Sequence, residues 1–104
     1  MVVRRNPTAL GVVDADGEAY EWQRAQVLRL ARHLGYAVIW AAEDSLLPLV
    51  DQVRAADVDV VIVSSTDQVD ALTLNAVMSV VPVESVCPRM SFARWGDTRP
   101  EWRG

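Results

Sequence analysis

Lysine is missing from this chain, and all ten of its basic residues other than the single histidine are arginine. Phosphoryl-transfer sites that use a lysine ammonium to offset the charge of the moving group therefore have no candidate here. Cysteine occurs once, at Cys87, so no disulfide framework can form, and a cytoplasmic protein is the expectation. Cys87 falls in a segment that reads as a buried strand, where an inert core thiol is expected. His33 is the single histidine. It stands near the C-terminal end of a predicted helix as a solvent-facing partner of the helix dipole, with nothing around it that suggests a triad or a metal cluster. No apolar run approaches the ~18 residues of a membrane helix. The opening MVVRRNPTAL lacks the apolar stretch of a secretory signal. Internal repeats and low-complexity linkers are absent too.

What is present suits one folded domain. The chain has 104 residues, 51% of them apolar, enough for one real hydrophobic core and too many for wholesale disorder. Its formal charge of −4 is unevenly placed: residues 88–104 carry four arginines against Asp97 and Glu101, a net of +2, which leaves −6 for residues 1–87. An acidic body repels phosphate backbones, so direct DNA binding is not expected.

Strand-like and helix-like segments alternate along the chain. TALGVVD reads as a short buried strand. From about Glu18 to Leu34 the pattern is helical, with Tyr20, Val27, Leu30, Ala31 and Leu34 on one face and Trp22 away from it. Gly35 follows where a C-terminal cap belongs. YAVIWAA is a second strand, with Trp40 expected in the core. EDSLLPLVDQVRAAD reads as a helix with Ser45 as N-cap and Pro48 in its first turn. VDVVIVSS is a near-continuous Val/Ile run, the mark of a strand covered on both faces. A third helix is expected from about Asp67 to Val81, and PVESVCP is a fourth, shorter strand. This order predicts βαβ units and an α/β fold, an open doubly wound, mostly parallel sheet of about four strands. Residues 1–87 form the domain, and residues 88–104 read as an extended Trp/Arg tail.

The third helix carries apolar residues nearly all round. Val69, Leu72, Ala76 and Val80 make the expected buried face, and Leu74, Val77, Met78 and Val81 cover much of the other side. A helix of this kind is seldom left in water. Either the tail covers it through Phe92 and Trp95, or a second chain does. In the tail, Trp95 and Trp102 alternate with Arg94, Arg99 and Arg103. That composition suits a segment folded back on its domain, a docking element for a protein partner, or one that stacks on nucleic-acid bases.

In doubly wound sheets the working surface lies at the carboxyl ends of the strands. Asp14, Asp16, Glu43, Asp44 and Asp67 gather there by sequence order, with Ser64, Ser65 and Thr66. Crowded carboxylates repel one another, and a divalent cation such as Mg²⁺ on Asp14, Asp16 and Asp67 would relieve that. The stretch VVDADG resembles the first motif of haloacid-dehalogenase-type phosphatases, which would make Asp14 the nucleophile and Asp16 the acid/base. That family also requires the missing lysine. The plainer reading of DADG is a turn that caps the first helix.

A longer resemblance spans residues 8 to about 87. Gln23, Leu34-Gly35-Tyr36, the acidic Glu43-Asp44, the LLPLV helix, and the strand through Ser65-Thr66-Asp67 follow in register the N-terminal catalytic domain of serine recombinases, the resolvase/invertase family. The resemblance implies the same parallel α/β fold. It does not carry the catalytic residues across. Asp14 stands where the first catalytic arginine would be, Asp16 stands near the nucleophilic serine, and Gln68 and Ala71 replace the two later arginines. Exchanging arginine for acid and amide reverses the field that a scissile phosphate would meet. The resemblance therefore implies a domain without recombinase chemistry and without a required cofactor. Together with the apolar third helix and the Trp/Arg tail, this predicts action by protein contact or oligomerisation, in one version as an accessory to DNA transactions, through Leu74, Val77, Met78, Val81, Arg94, Trp95, Arg99 and Trp102. The alternative is a metal-dependent, phosphate-handling enzyme at the Asp14/Asp16/Asp67 edge.

Overall fold

A Val/Ile strand with no polar alternation must be shielded on both sides, and the Val60–Ser65 segment is. In the computed structural model, which describes residues 7–14, 17–42 and 47–95, the elements run β1 (Thr8–Val12), α1 (Tyr20–Leu34), β2 (Ala37–Trp40), α2 (Leu49–Ala56), β3 (Val60–Ser65), α3 (Ala71–Met78), β4 (Val83–Cys87) and β5 (Met90–Phe92). The strands form one sheet in the order β2-β1-β3-β4-β5, parallel except for β5. Val60 and Ile62 of β3 face α1, where they pack with Ala9, Val27 and Ala31. Val61 and Val63 face the other way, into a core shared with Leu10, Val53 of α2, and Val77 and Met78 of α3. The protein is an α/β domain with helices on both faces of a mostly parallel sheet. Among the described residues no helix is long and apolar enough to cross a membrane.

The sheet has five strands where about four were expected, because the segment read as an extended tail contributes one. Met90–Phe92 turns back antiparallel to β4, with Phe92 opposite Val83. A stretch this short shows too little periodicity to be read alone. Cys87 is exposed at the end of β4, not buried as expected. The apolar alternation of that strand runs out before its last residue.

The first helix starts at Tyr20, after a turn over residues 17–19, and ends as predicted. Gly35 takes φ 88°, and its N–H donates to the carbonyls of Ala31 and Arg32. Leu34, expected on the buried face, is exposed in the last turn. The second helix starts at Leu49 with Pro48 as its N-cap residue; Ser45, the expected cap, lies outside the described residues.

The third helix is shorter than its pattern suggests, for a local reason. Ser65 Oγ accepts from the N–H of Asp67 at 3.2 Å and closes a single 3-10 turn, Thr66–Gln68. Asp70 then starts a separate helix, its Oδ1 accepting from the N–H of Thr73 at 2.7 Å. Two side-chain caps within six residues divide what periodicity alone joins. The division also settles which face is buried, and it is not the expected one. Val77, Met78 and Val81 lie in the core and Leu74 packs against it, whereas Leu72 is 83% exposed. Val69 and Val80 remain half-buried at the core margin.

At one edge, β2 pairs, among the described residues, only with β1. The N–H groups of Ala37 and Ala41 donate inward to Pro7 and Gly11. By parallel-strand alternation, Val38 and Trp40 then direct their own N–H and C=O outward.

The cap at Asp70 yields a pH prediction. The N–H of Thr73, reinforced by its hydroxyl, holds the Asp70 carboxyl below its ordinary value of 3.8. A carboxyl with a folded pKa below its unfolded one stabilises fully above the unfolded value and loses that contribution as pH falls through the folded value. Asp70→Ala should therefore lower the melting temperature at neutral pH, with the deficit shrinking once the pH drops below 3.8. Thermal unfolding followed by circular dichroism across that range checks it.

A cleft at the carboxyl edge of the sheet

From β1 the chain winds to β2 on one side, while β3 and β4 lie on the other. The strand order reverses between β1 and β3, and a crevice opens at such a point because the connections diverge to opposite faces of the sheet. Here it is a cleft of about 500 Å³ at the carboxyl ends of β1, β2 and β3. Asp14 enters from the end of β1, Asp67 and Gln68 from the turn after β3, Gln52 from α2, and Tyr20 from the start of α1. Gly11 and Trp40 line it from the strands themselves.

Two glutamines brace the cleft. Gln23 Oε1 accepts from the N–H of Asp14 at 2.9 Å and from the hydroxyl of Ser64 at 3.3 Å, tying the ends of β1 and β3 to α1. Gln52 Oε1 accepts from the N–H of Ala42 at 2.9 Å, and its Nε2 donates to the carbonyl of Leu47 at 3.1 Å. Ser64 is buried and engaged with Gln23, and Ser65 caps the 3-10 turn, so two of the three expected hydroxyls have structural partners.

Trp40 forms one side of the cleft and is only half-buried, not a core residue as expected, because β2 is an edge strand. Its ring lies across Gly11: a Cβ built there would sit 2.6 Å from the ring. The Arg24 guanidinium lies 4.7 Å from the Trp40 ring centre and 5.7 Å from that of Tyr20, both within cation–π range. The buried Nε of Arg24 has no hydrogen-bond partner among the described residues. A glycine inside a strand marks close approach by a neighbour. Gly11 carried that signal in the sequence, although not the identity of the ring above it.

Of the residues expected to hold a cation, Asp14 and Asp67 come to the same cleft, and Asp16 lies outside the described residues, as do Glu43 and Asp44. Among the described residues no group of three or more His, Cys, Asp or Glu side chains could hold a metal ion. Of the positions where the recombinase resemblance calls for arginine, Asp14 and Gln68 line the cleft and Ala71 begins α3. No described residue lining the cleft is cationic.

The expected interaction residues divide three ways. Val77, Met78 and Val81 belong to the core and cannot form a surface, and Leu74 is half-buried against them. Trp95 folds back on α3: its N–H donates to the carbonyl of Met78 at 2.7 Å and its Nε1 to Asn75 Oδ1 at 2.9 Å. It nevertheless stays 55% exposed, and Arg94 beside it is exposed too. Arg99 and Trp102 lie outside the described residues.

Comparison with protein-family models, with curated proteins and with solved structures gave no match to this chain.

The Gly11–Trp40 contact supplies a test of how the cleft is built. Gly11→Ala should destabilise the fold by about 1–3 kcal/mol through overpacking. Combined with Trp40→Leu, it should cost less than the sum of the two single changes, because the second makes room for the first. Urea titration of the three variants measures the coupling.

Proposed function

We propose that this chain is a catalytically inactive domain of resolvase-like descent, and that it works by self-association through the outer side of α3 and Trp95. The carrying observation is the state of Trp95, whose backbone N–H and indole Nε1 each bond to α3 while the residue stays more than half in water. A large side chain held in place before it meets a partner loses little conformational freedom on binding, and tryptophan is among the residues that dominate interface energetics. Leu72, one turn before Asn75 on the same side of the helix, adds an apolar neighbour that is 83% exposed.

The occupant proposed for this patch is a second copy. A two-fold axis near Asn75 sets Leu72 of one protomer against Trp95 of the other, a self-complementary contact. Charge favours it as well: the segment that holds Arg94 and Arg99 is net +2, and the rest of the chain is net −6. Loss of recombinase chemistry is supported by the acid and amide in the cleft, where a phosphate would meet Asp14 and Asp67. A part in DNA transactions would then run through protein contact, in the cytoplasm, the location that the single cysteine favours.

Light scattering over a concentration series tests the contact. The expected mass at high concentration is twice the 11.5 kDa of the chain. Leu72→Asp and Trp95→Ala should each weaken association by about tenfold or more, as for interface anchors. A monomer at every concentration would sink self-association.

The convergence of Asp14 and Asp67 on one cleft favours a second reading, a Mg²⁺-dependent, phosphate-handling site. Saturating Mg²⁺, at one hundred times its dissociation constant, would then raise the stability by about 2.7 kcal/mol. That is a rise of several degrees in melting temperature for a domain of this size. Asp14→Asn or Asp67→Asn would abolish the rise, and a flat response in the unaltered chain removes this reading.

A further inference from the structure

The two faces of the sheet are covered unequally. Five strands at about 4.8 Å spacing span roughly 19 Å, and a helix with its side chains is about 10–12 Å across. On one face α2 and α3 share that width. On the other, α1 is the one helix among the described residues, and it sits over β1 and β3. Beside α1, on the β4 side, the sheet is left with a groove of about 300 Å³.

The lining of this groove follows from helical spacing. Gln26, Arg29, Leu30 and His33 fall at i, i+3, i+4 and i+7 along α1, so they form one stripe, and Val86 and Arg89 close the groove from β4 and the turn after it. Leu30 and Val86 are half-buried apolar residues packed against the core. Arg89 is committed elsewhere: its Nη1 donates to Glu84 Oε1 at 2.7 Å and to the carbonyl of Met90 at 2.9 Å. The side chains of Arg29 and His33 make no hydrogen bond or ion pair with any described residue. The groove thus holds one guanidinium whose donors no described residue claims, an imidazole one turn on, and an apolar floor. It does so in a protein that is acidic overall.

We propose that this groove binds a small organic carboxylate with an apolar body. The planar fork of Arg29 matches the two oxygens of a carboxylate, and His33 offers a further ring nitrogen. Leu30 and Val86 receive the body of the ligand. A single negative charge is favoured because Glu84 already offsets Arg89, which leaves one guanidinium that no described carboxylate offsets.

The test is an NMR titration of the full chain with benzoate, following the Arg29 side chain and the His33 ring. Benzyl alcohol, of similar shape and uncharged, and inorganic phosphate, charged and without an apolar body, serve as comparisons. Benzoate should shift both groups saturably. Benzyl alcohol and phosphate should each bind at least about tenfold more weakly, and Arg29→Gln should weaken benzoate by about tenfold or more, the range of a hydrogen bond to a charged group. The amide spectrum of the exposed Arg29→Gln variant verifies its fold, and Glu21→Gln, elsewhere on α1, should leave binding unchanged. Failure of benzoate to saturate, or binding that survives Arg29→Gln, overturns the proposal. So does phosphate binding as tightly as benzoate, which would make charge alone sufficient.

Discussion

Burial of β3 on both faces is the constraint from which the rest of the arrangement follows. Val60 and Ile62 need cover on one side, and Val61 and Val63 need it on the other. No single helix can supply both, so the helices must divide between the faces: α1, which joins β1 to β2, covers one, and α2 and α3, which precede and follow β3, cover the other. Right-handed crossovers then place α1 opposite α2 and α3 and put β1 beside β3 at the centre of the sheet. The crevice at the carboxyl edge and the bare strip beside α1 are both products of that division. One opens where the connections part, and the other remains where a single helix is too narrow for the sheet beneath it.

The polar residues around the crevice hold its loops in place. Gln23 and Gln52 each gather two partners from separate segments, and Ser64 and Ser65 are engaged by Gln23 and by the Asp67 N–H. These bonds satisfy backbone groups at strand ends where no ladder partner continues. Any chemistry that called on those hydroxyls would first have to release the loops.

The parts of the fold legible in the sequence were those set by local rules. A two-sided Val/Ile run, a glycine after the last turn of α1, and the alternation of strand and helix all mean much the same in any context. Misreadings arose where a side chain depends on what lies across from it. Periodicity could say that the region around Leu74 and Val77 is apolar all round, but which side meets the sheet depends on the Asp70 cap and the turn at Ser79. Likewise the tail residues Met90–Phe92 become a strand only because β4 offers an unpaired edge. At the candidate site, the acidic residues were visible from their strand-end positions. The stack of Arg24 over Trp40 over Gly11 was not, since it joins three elements with no shared pattern.

The open side of β2 has a consequence for the life of the chain before it is fully folded. The stretch 36–42 is uncharged and rich in β-branched and aromatic residues, and it contains no proline. Val38 and Trp40 turn their backbone groups away from the molecule, and Ile39 is partly exposed. Natural edge strands are commonly guarded by a lysine or a proline, and this chain has no lysine to place there. The Trp40 ring, with Arg24 laid over it, leans the other way, across Gly11, and leaves that edge unguarded. The segment can therefore template the same segment of another molecule, so how early β2 pairs with β1 governs how much of the chain reaches the native state at high concentration.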